Sequence, residues 1–144
     1  MKEKDKIGDT DSEIGFAEQE FANFCDANEI DHDELAMEDE DCEGFRKIKS
    51  RFIKAINEKR LVVDGMKLVY TVSRFSETAG DKITISRPIG KDFLSMDGLK
   101  DTQQMHKFNA FLASITRKEN SYISRLDFKD RGFLNDIGTL FITA

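Results

Sequence analysis

The single proline of this chain, Pro88, stands between two hydrophobic periodicities, and that junction constrains the fold more than any other position. Proline lacks a backbone N–H and disfavours helix at the residue before it, so Arg87 is pushed toward extended geometry. A strand can end there and a helix can begin shortly afterwards. On the N-terminal side, Lys82 to Arg87 alternates, with Ile83 and Ile85 on one face and Lys82, Thr84 and Ser86 on the other. On the C-terminal side, apolar residues recur at every third or fourth position, which is helical spacing.

The strand before Pro88 belongs to a meander. Leu61-Val62-Val63, then Asp64-Gly65, then Met66 to Val72 reads as a tight hairpin, with Asp-Gly supplying the positive φ angles of a type I′ turn. Leu68, Tyr70 and Val72 alternate with Lys67, Thr71 and Ser73, and Val69 interrupts the polar face once. A second turn over Ser76 to Asp81 leads into Lys82. Three strands with one apolar face need a cover, and the helices must supply it.

Four to five helices are expected. Residues 1–12 are too polar to offset the entropy of ordering and read as a disordered tail. Asp11 or Ser12 caps a helix carrying Ile14, Ala17, Phe21 and Phe24 that ends near Asn28. A second helix runs from about Glu40 to Lys59 with Phe45, Ile48, Phe52, Ala55 and Ile56 as its apolar stripe. After Pro88, a short helix over Gly90 to Met96 stops at Gly98. Asp101 or Thr102 caps the next one, whose apolar face is Met105, Phe108, Phe111, Leu112 and Ile115. Asp127 caps the last helix, with Asp130 adding negative charge to its first turn and Phe133, Leu134, Ile137, Leu140 and Phe141 forming its stripe. The expected organisation is a tail over 1–12 and one α+β domain over 13–144: helical over 13–60, a three-stranded antiparallel meander over 61–87, and helical over 89–144.

Composition excludes several classes. No apolar run approaches the ~20 residues that span a bilayer, and the charged N-terminus lacks the apolar core of a secretory signal. A cytoplasmic protein with no membrane partner is expected. Net charge of −6 has the wrong sign for a protein whose main partner is a phosphate backbone, so nucleic acid is disfavoured. Cys25 and Cys42 stand in separate segments without metal-ligand spacing and read as buried free thiols.

Chemistry is hard to find. Dinucleotide, P-loop, zinc-protease and nucleophile-elbow motifs are all missing, and neither His32 nor His106 has an orienting partner that the sequence identifies. No enzyme activity, metal or cofactor is expected. Between Asp26 and Glu43 the chain is acidic and holds no Lys or Arg. The frame Asp39-x-Asp41-x-Glu43-Gly44 resembles the start of a calcium loop. Its twelfth position is Ser50 in place of the closing carboxylate and Arg46 fills the usual apolar eighth, so an EF-hand is disfavoured, though cation binding by residues 26–43 stays open. Asp39, Glu40 and Asp41 suit a helix N-terminus instead. Arg46, Lys47, Lys49, Arg51 and Lys54 make the following helix basic, a surface that is solvated charge or a nucleic-acid contact.

From about Phe45 to Phe141 the chain resembles the tail assembly chaperones of long-tailed bacteriophages and prophages. The resemblance rests on order and spacing: a basic helix entering an apolar strand at Asp64-Gly65, a strand with Tyr70-Thr71, a strand ending at Arg87-Pro88 and a short helix with Asp92, then Leu126 followed by Asp127 and Asp130 at the last helix. It differs from the family pattern in having a glycine-poor helix over residues 103–118. The resemblance implies a small non-enzymatic protein of the bacterial cytoplasm that keeps the tape-measure protein soluble during tail assembly. Partners would be that protein or other tail proteins, with homo-oligomerisation left open. The alternatives are a structural tail component, such as a tube or completion protein, and a nucleic-acid-binding regulator using the basic helix over 45–59.

The alternation around Pro88 gives a first prediction. Ile85→Asp should abolish the cooperative thermal transition, because it buries an unpaired charge. A melt identical to wild type would mean that the strand faces are reversed.

Overall fold

Ile83 and Ile85 do face inward, and the register explains why the sheet has one dry side. The computed structural model describes residues 2–96 and 104–144, with side chains from residue 15 onward. Strands β1 (Leu61–Asp64), β2 (Lys67–Thr71) and β3 (Lys82–Ile85) form an antiparallel sheet in the order β1-β2-β3. Leu61 lies opposite Tyr70, Tyr70 opposite Ile83 and Leu68 opposite Ile85. All five side chains therefore fall on one face, and each is at most 2% exposed.

The hairpin turn differs from expectation. Asp64 is already paired with Lys67, so the two central residues are Gly65 and Met66. Only Gly65 has positive φ, at 61°. That is the pattern of a type II′ turn, which places glycine first, and not of type I′.

Six α-helices accompany the sheet among the described residues: α1 (Lys2–Ala27), α2 (Asp39–Asn57), α3 (Gly90–Leu94), α4 (Gln104–Thr116), α5 (Asn120–Ser124) and α6 (Phe128–Thr143). The architecture is α+β. Phenylalanine dominates the core between α1, α2 and α6, where Phe21 meets Phe52 edge-on at 4.9 Å and Phe24 meets Phe141 at 5.9 Å. Such tilted pairs suit the quadrupoles of the rings. Helix α4 covers the β3 side through Phe111, Leu112 and Ile115, which are all buried. One contiguous cluster of buried apolar side chains joins these helices to the sheet. At Gly138 a Cβ would come within 2.8 Å of Leu112 Cδ2, so glycine there sets the close approach of α6 to α4.

Several local expectations are corrected. Helix α1 begins at Lys2, within the segment expected as a tail, and Asp11 and Ser12 are interior helical positions, not caps. Short α5 occupies Asn120–Ser124, between the two last helices expected from the sequence. Met105, expected on the apolar face of α4, is 72% exposed. The expected stop at Gly98 and the caps Asp101 and Thr102 lie outside the described residues.

Three helices end in the same way. After α1, α2 and α4 the residues Glu29, Lys59 and Arg117 have φ of 56°, 61° and 56°. In each case the following N–H reaches back five residues: Ile30 to the Cys25 carbonyl, Arg60 to Ala55 and Lys118 to Ala113. These are Schellman caps, and glycine is the usual residue at the left-handed position. A side chain with a Cβ carries a steric cost there. Lys59→Gly should therefore raise the unfolding free energy by about 0.5–1 kcal/mol. Urea denaturation measures this, and a loss of stability would show that the Lys59 side chain contributes more than its backbone strain costs.

Candidate functional site

The most organised polar feature is buried. Asp130 lies on the first turn of α6, as its sequence position predicts, and is 0% exposed. Oδ1 accepts from the Tyr70 hydroxyl at 2.6 Å and the Ser73 N–H at 3.0 Å. Oδ2 accepts from the hydroxyls of Ser73 and Ser76 at 2.8 and 2.5 Å. Two oxygens with four donors use the full acceptor capacity of a carboxylate. Burial alone would raise the Asp130 pKa, but the bonds from Ser76, Tyr70 and Ser73 outweigh it and hold the carboxyl below its usual range.

The network extends outward. Tyr70 stacks on Phe133 with ring centroids 4.5 Å apart, and its hydroxyl also accepts from Arg60 Nη1 at 2.8 Å. Burial first, then the neighbouring Asp130, pushes the Tyr70 phenol up, so it stays a donor at neutral pH. Ser76 Oγ accepts from the N–H of Asp127 at 2.8 Å. Asp127 itself caps α6, accepting from the Lys129 N–H at 3.0 Å, as its sequence position predicts. The β2–β3 loop, the end of β2 and the start of α6 are thus clamped together.

Other family-like positions have structural roles elsewhere. Arg87 donates to the carbonyl of Asn28 at the end of α1. Asn28 Nδ2 in turn donates to the Met66 carbonyl at 3.2 Å, which fixes the hairpin turn. Asp92 is buried, accepting from the Ile89 N–H at 2.7 Å and from Ser114 Oγ at 2.5 Å. Leu126 is in the core, Pro88 is half-buried after β3, and Asp64 and Gly65 are exposed at the hairpin. Of these positions, Tyr70 and Asp130 are brought into direct contact.

Beside the clamp lies a groove of about 580 Å³ between α2, the β2–β3 loop and α6. Its apolar surface comes from Phe75, Phe128 and Phe133, of which Phe75 is 55% and Phe128 87% exposed. Lys54 and Lys129 stand on it as cations, and Lys129 Nζ lies 5.8 Å from the Phe75 ring centre. Arg51 also borders the groove but is engaged in a forked pair with Asp136, at 2.5 and 2.8 Å, that ties α2 to α6.

The expected basic surface is largely neutralised. Arg46 pairs with Glu34, Lys47 with Glu43 and Arg51 with Asp136, so among the described residues Lys49 and Lys54 are the cations of that set without an ion pair. Within the acidic segment, Asp33 caps a short turn over Glu34–Ala36. His32 Nε2 lies 2.7 Å from Asp26 Oδ1, an orienting partner that sequence reasoning missed because the two are six residues apart across a helix end. His106 is exposed on α4. No group of three or more His, Cys, Asp or Glu side chains is placed to hold a metal ion among the described residues. Cys25 and Cys42 are free and buried, and burial followed by the nearby Asp26 raises the Cys25 thiol to about 12, far from the reactive thiolate. No helix among the described residues is long and apolar enough to cross a membrane.

No family model, curated protein or solved structure matches this chain.

The Asp130 site predicts a pH effect of definite sign. A carboxyl whose folded pKa is depressed contributes stability above its unfolded pKa of about 3.9 and loses it as pH falls through the folded value. Asp130→Asn should cost about 2–4 kcal/mol at neutral pH, since its amide N–H groups oppose the serine donors. It should also flatten the loss of stability below about pH 4. Urea titrations across that range check both, and an unchanged acid slope would remove Asp130 as its source.

Proposed function

We propose that the chain is a non-enzymatic tail assembly chaperone of a long-tailed bacteriophage or prophage, acting in the bacterial cytoplasm and binding the tape-measure protein through the groove between α2 and α6. The observation that carries this reading is the pair of exposed rings, Phe75 and Phe128, held over a groove by the Tyr70–Asp130 clamp. Tyr70 and Asp130 are two of the positions on which the sequence resemblance rests. A chaperone has to present apolar surface to an aggregation-prone client while remaining dissolved, and the charges around the groove serve the second need. The internal pairing of Arg46, Lys47 and Arg51 weighs against the basic helix as a nucleic-acid contact.

The test is co-expression with the tape-measure protein of the same genomic neighbourhood. Soluble client that co-purifies with wild type, and is reduced several-fold with Phe128→Ser, is the expected result. A client that stays insoluble and unbound beside folded chain would overturn the reading.

A further inference from the structure

The charge of this molecule is separated along α2. Its N-terminal end, with the segment before it, carries Glu38, Asp39, Glu40 and Asp41, while Lys54 and Lys129 stand at the groove near its C-terminal end. In the acidic segment the turn Glu34–Ala36 presents Leu35 at 98% exposure, the largest exposure of any large apolar side chain described. The turn is a firm feature. Asp33 Oδ1 accepts from the Leu35 N–H at 3.1 Å, Arg46 pairs with Glu34, and the flanking Ile30 is buried.

An aliphatic side chain held out on a hydrogen-bonded acidic turn suits an apolar groove bordered by lysines. Lys54 and Lys129 make no ion pair within 4 Å among the described residues; the carboxylates near the groove are engaged otherwise, Glu58 with Arg60, Asp136 with Arg51 and Asp127 as the α6 cap. Both surfaces belong to the same chain, one apolar with acidic neighbours and the other apolar with basic ones. We propose that copies of this chain associate head to tail, with Leu35 of one copy seated between Phe75 and Phe128 of the next and with Glu38 and Asp39 facing Lys54 and Lys129. The two patches differ, so the contact is heterologous and generates rings or open chains, not a two-fold dimer. The exposed ion pairs make it salt-sensitive. Self-association of this kind covers the groove when no other partner is present. It does not rest on the chaperone reading, since it is read from the oligomeric state of the pure protein and not from client solubility.

Sedimentation velocity of the purified full chain, from about 10 µM to about 1 mM and at about 50 mM and 500 mM salt, tests it. Concentration-dependent oligomers at low salt that weaken at least tenfold at high salt are expected. Leu35→Ser, at a position with almost no contacts to lose, and the double variant Lys54→Glu/Lys129→Glu should each give monomers. Mixed together, the two variants should form a discrete 1:1 heterodimer, because the Ser variant keeps an intact groove and the Glu variant keeps an intact Leu35. Circular dichroism melts establish that both remain folded. Monomers at every wild-type concentration, oligomers indifferent to both variants, or variants that stay monomeric when mixed would each overturn the proposal.

Discussion

The carboxylate of Asp130 is the constraint on which the rest of the structure depends. A charge taken fully out of water is costly unless its hydrogen-bonding capacity is filled. Here four donors fill it, drawn from Tyr70 on β2 and from Ser73 and Ser76 in the loop beyond. Those donors are more than fifty residues away in sequence, so satisfying one side chain docks the C-terminal helix on the sheet. The docked helix then places Phe133 against Tyr70 and Asp136 against Arg51, joining the sheet and α2 to α6 through one stack and one ion pair. Few other arrangements of α6 would leave the carboxylate satisfied, so the network selects a register as well as stabilising it.

How much of this the sequence discloses depends on the range of each signal. Strand alternation at Ile83 and Ile85 and the helical stripe from Phe45 to Ala55 are local patterns driven by burial, and both correspond to buried faces. The cap at Asp127 is equally local. The left-handed residues Glu29, Lys59 and Arg117 left no trace, because the usual marker is glycine and the hydrogen bonds that define the caps override side-chain preference. The turn type differs from expectation for a related reason: which residue of Asp64-Gly65-Met66 pairs across the hairpin is set by the register of β2, not by the Asp-Gly dipeptide.

Asp130 shows the harder limit. An aspartate three residues after an N-cap is commonplace as a dipole-favoured surface charge, and nothing adjacent to it reveals that its partners lie at residues 70–76. In the sequence, Tyr70 and Asp130 stand only as two of eight positions in the resemblance, with nothing that links one to the other. The groove was invisible for the same reason, since Phe75 and Phe128 belong to different elements and the cations beside them, Lys54 and Lys129, to two helices. The basic helix marks Lys54 in the sequence, but only among five cations of which Arg46, Lys47 and Arg51 are paired.

The groove and the clamp are one construction. Phe75 sits between Ser73 and Ser76, both bonded to Asp130, and Phe128 sits between Asp127, whose N–H is bonded to Ser76, and Asp130 itself. With one chain neighbour of each ring, Ser76 and Asp127, bonded into the network, the backbone beside both rings is tied down. Burying a phenylalanine is worth about 1.5–3 kcal/mol, and at 87% exposure Phe128 forfeits most of that. The polar clamp therefore does more than dock a helix: by bonding the residue next to each ring, it restrains two exposed aromatic rings against their own tendency to bury.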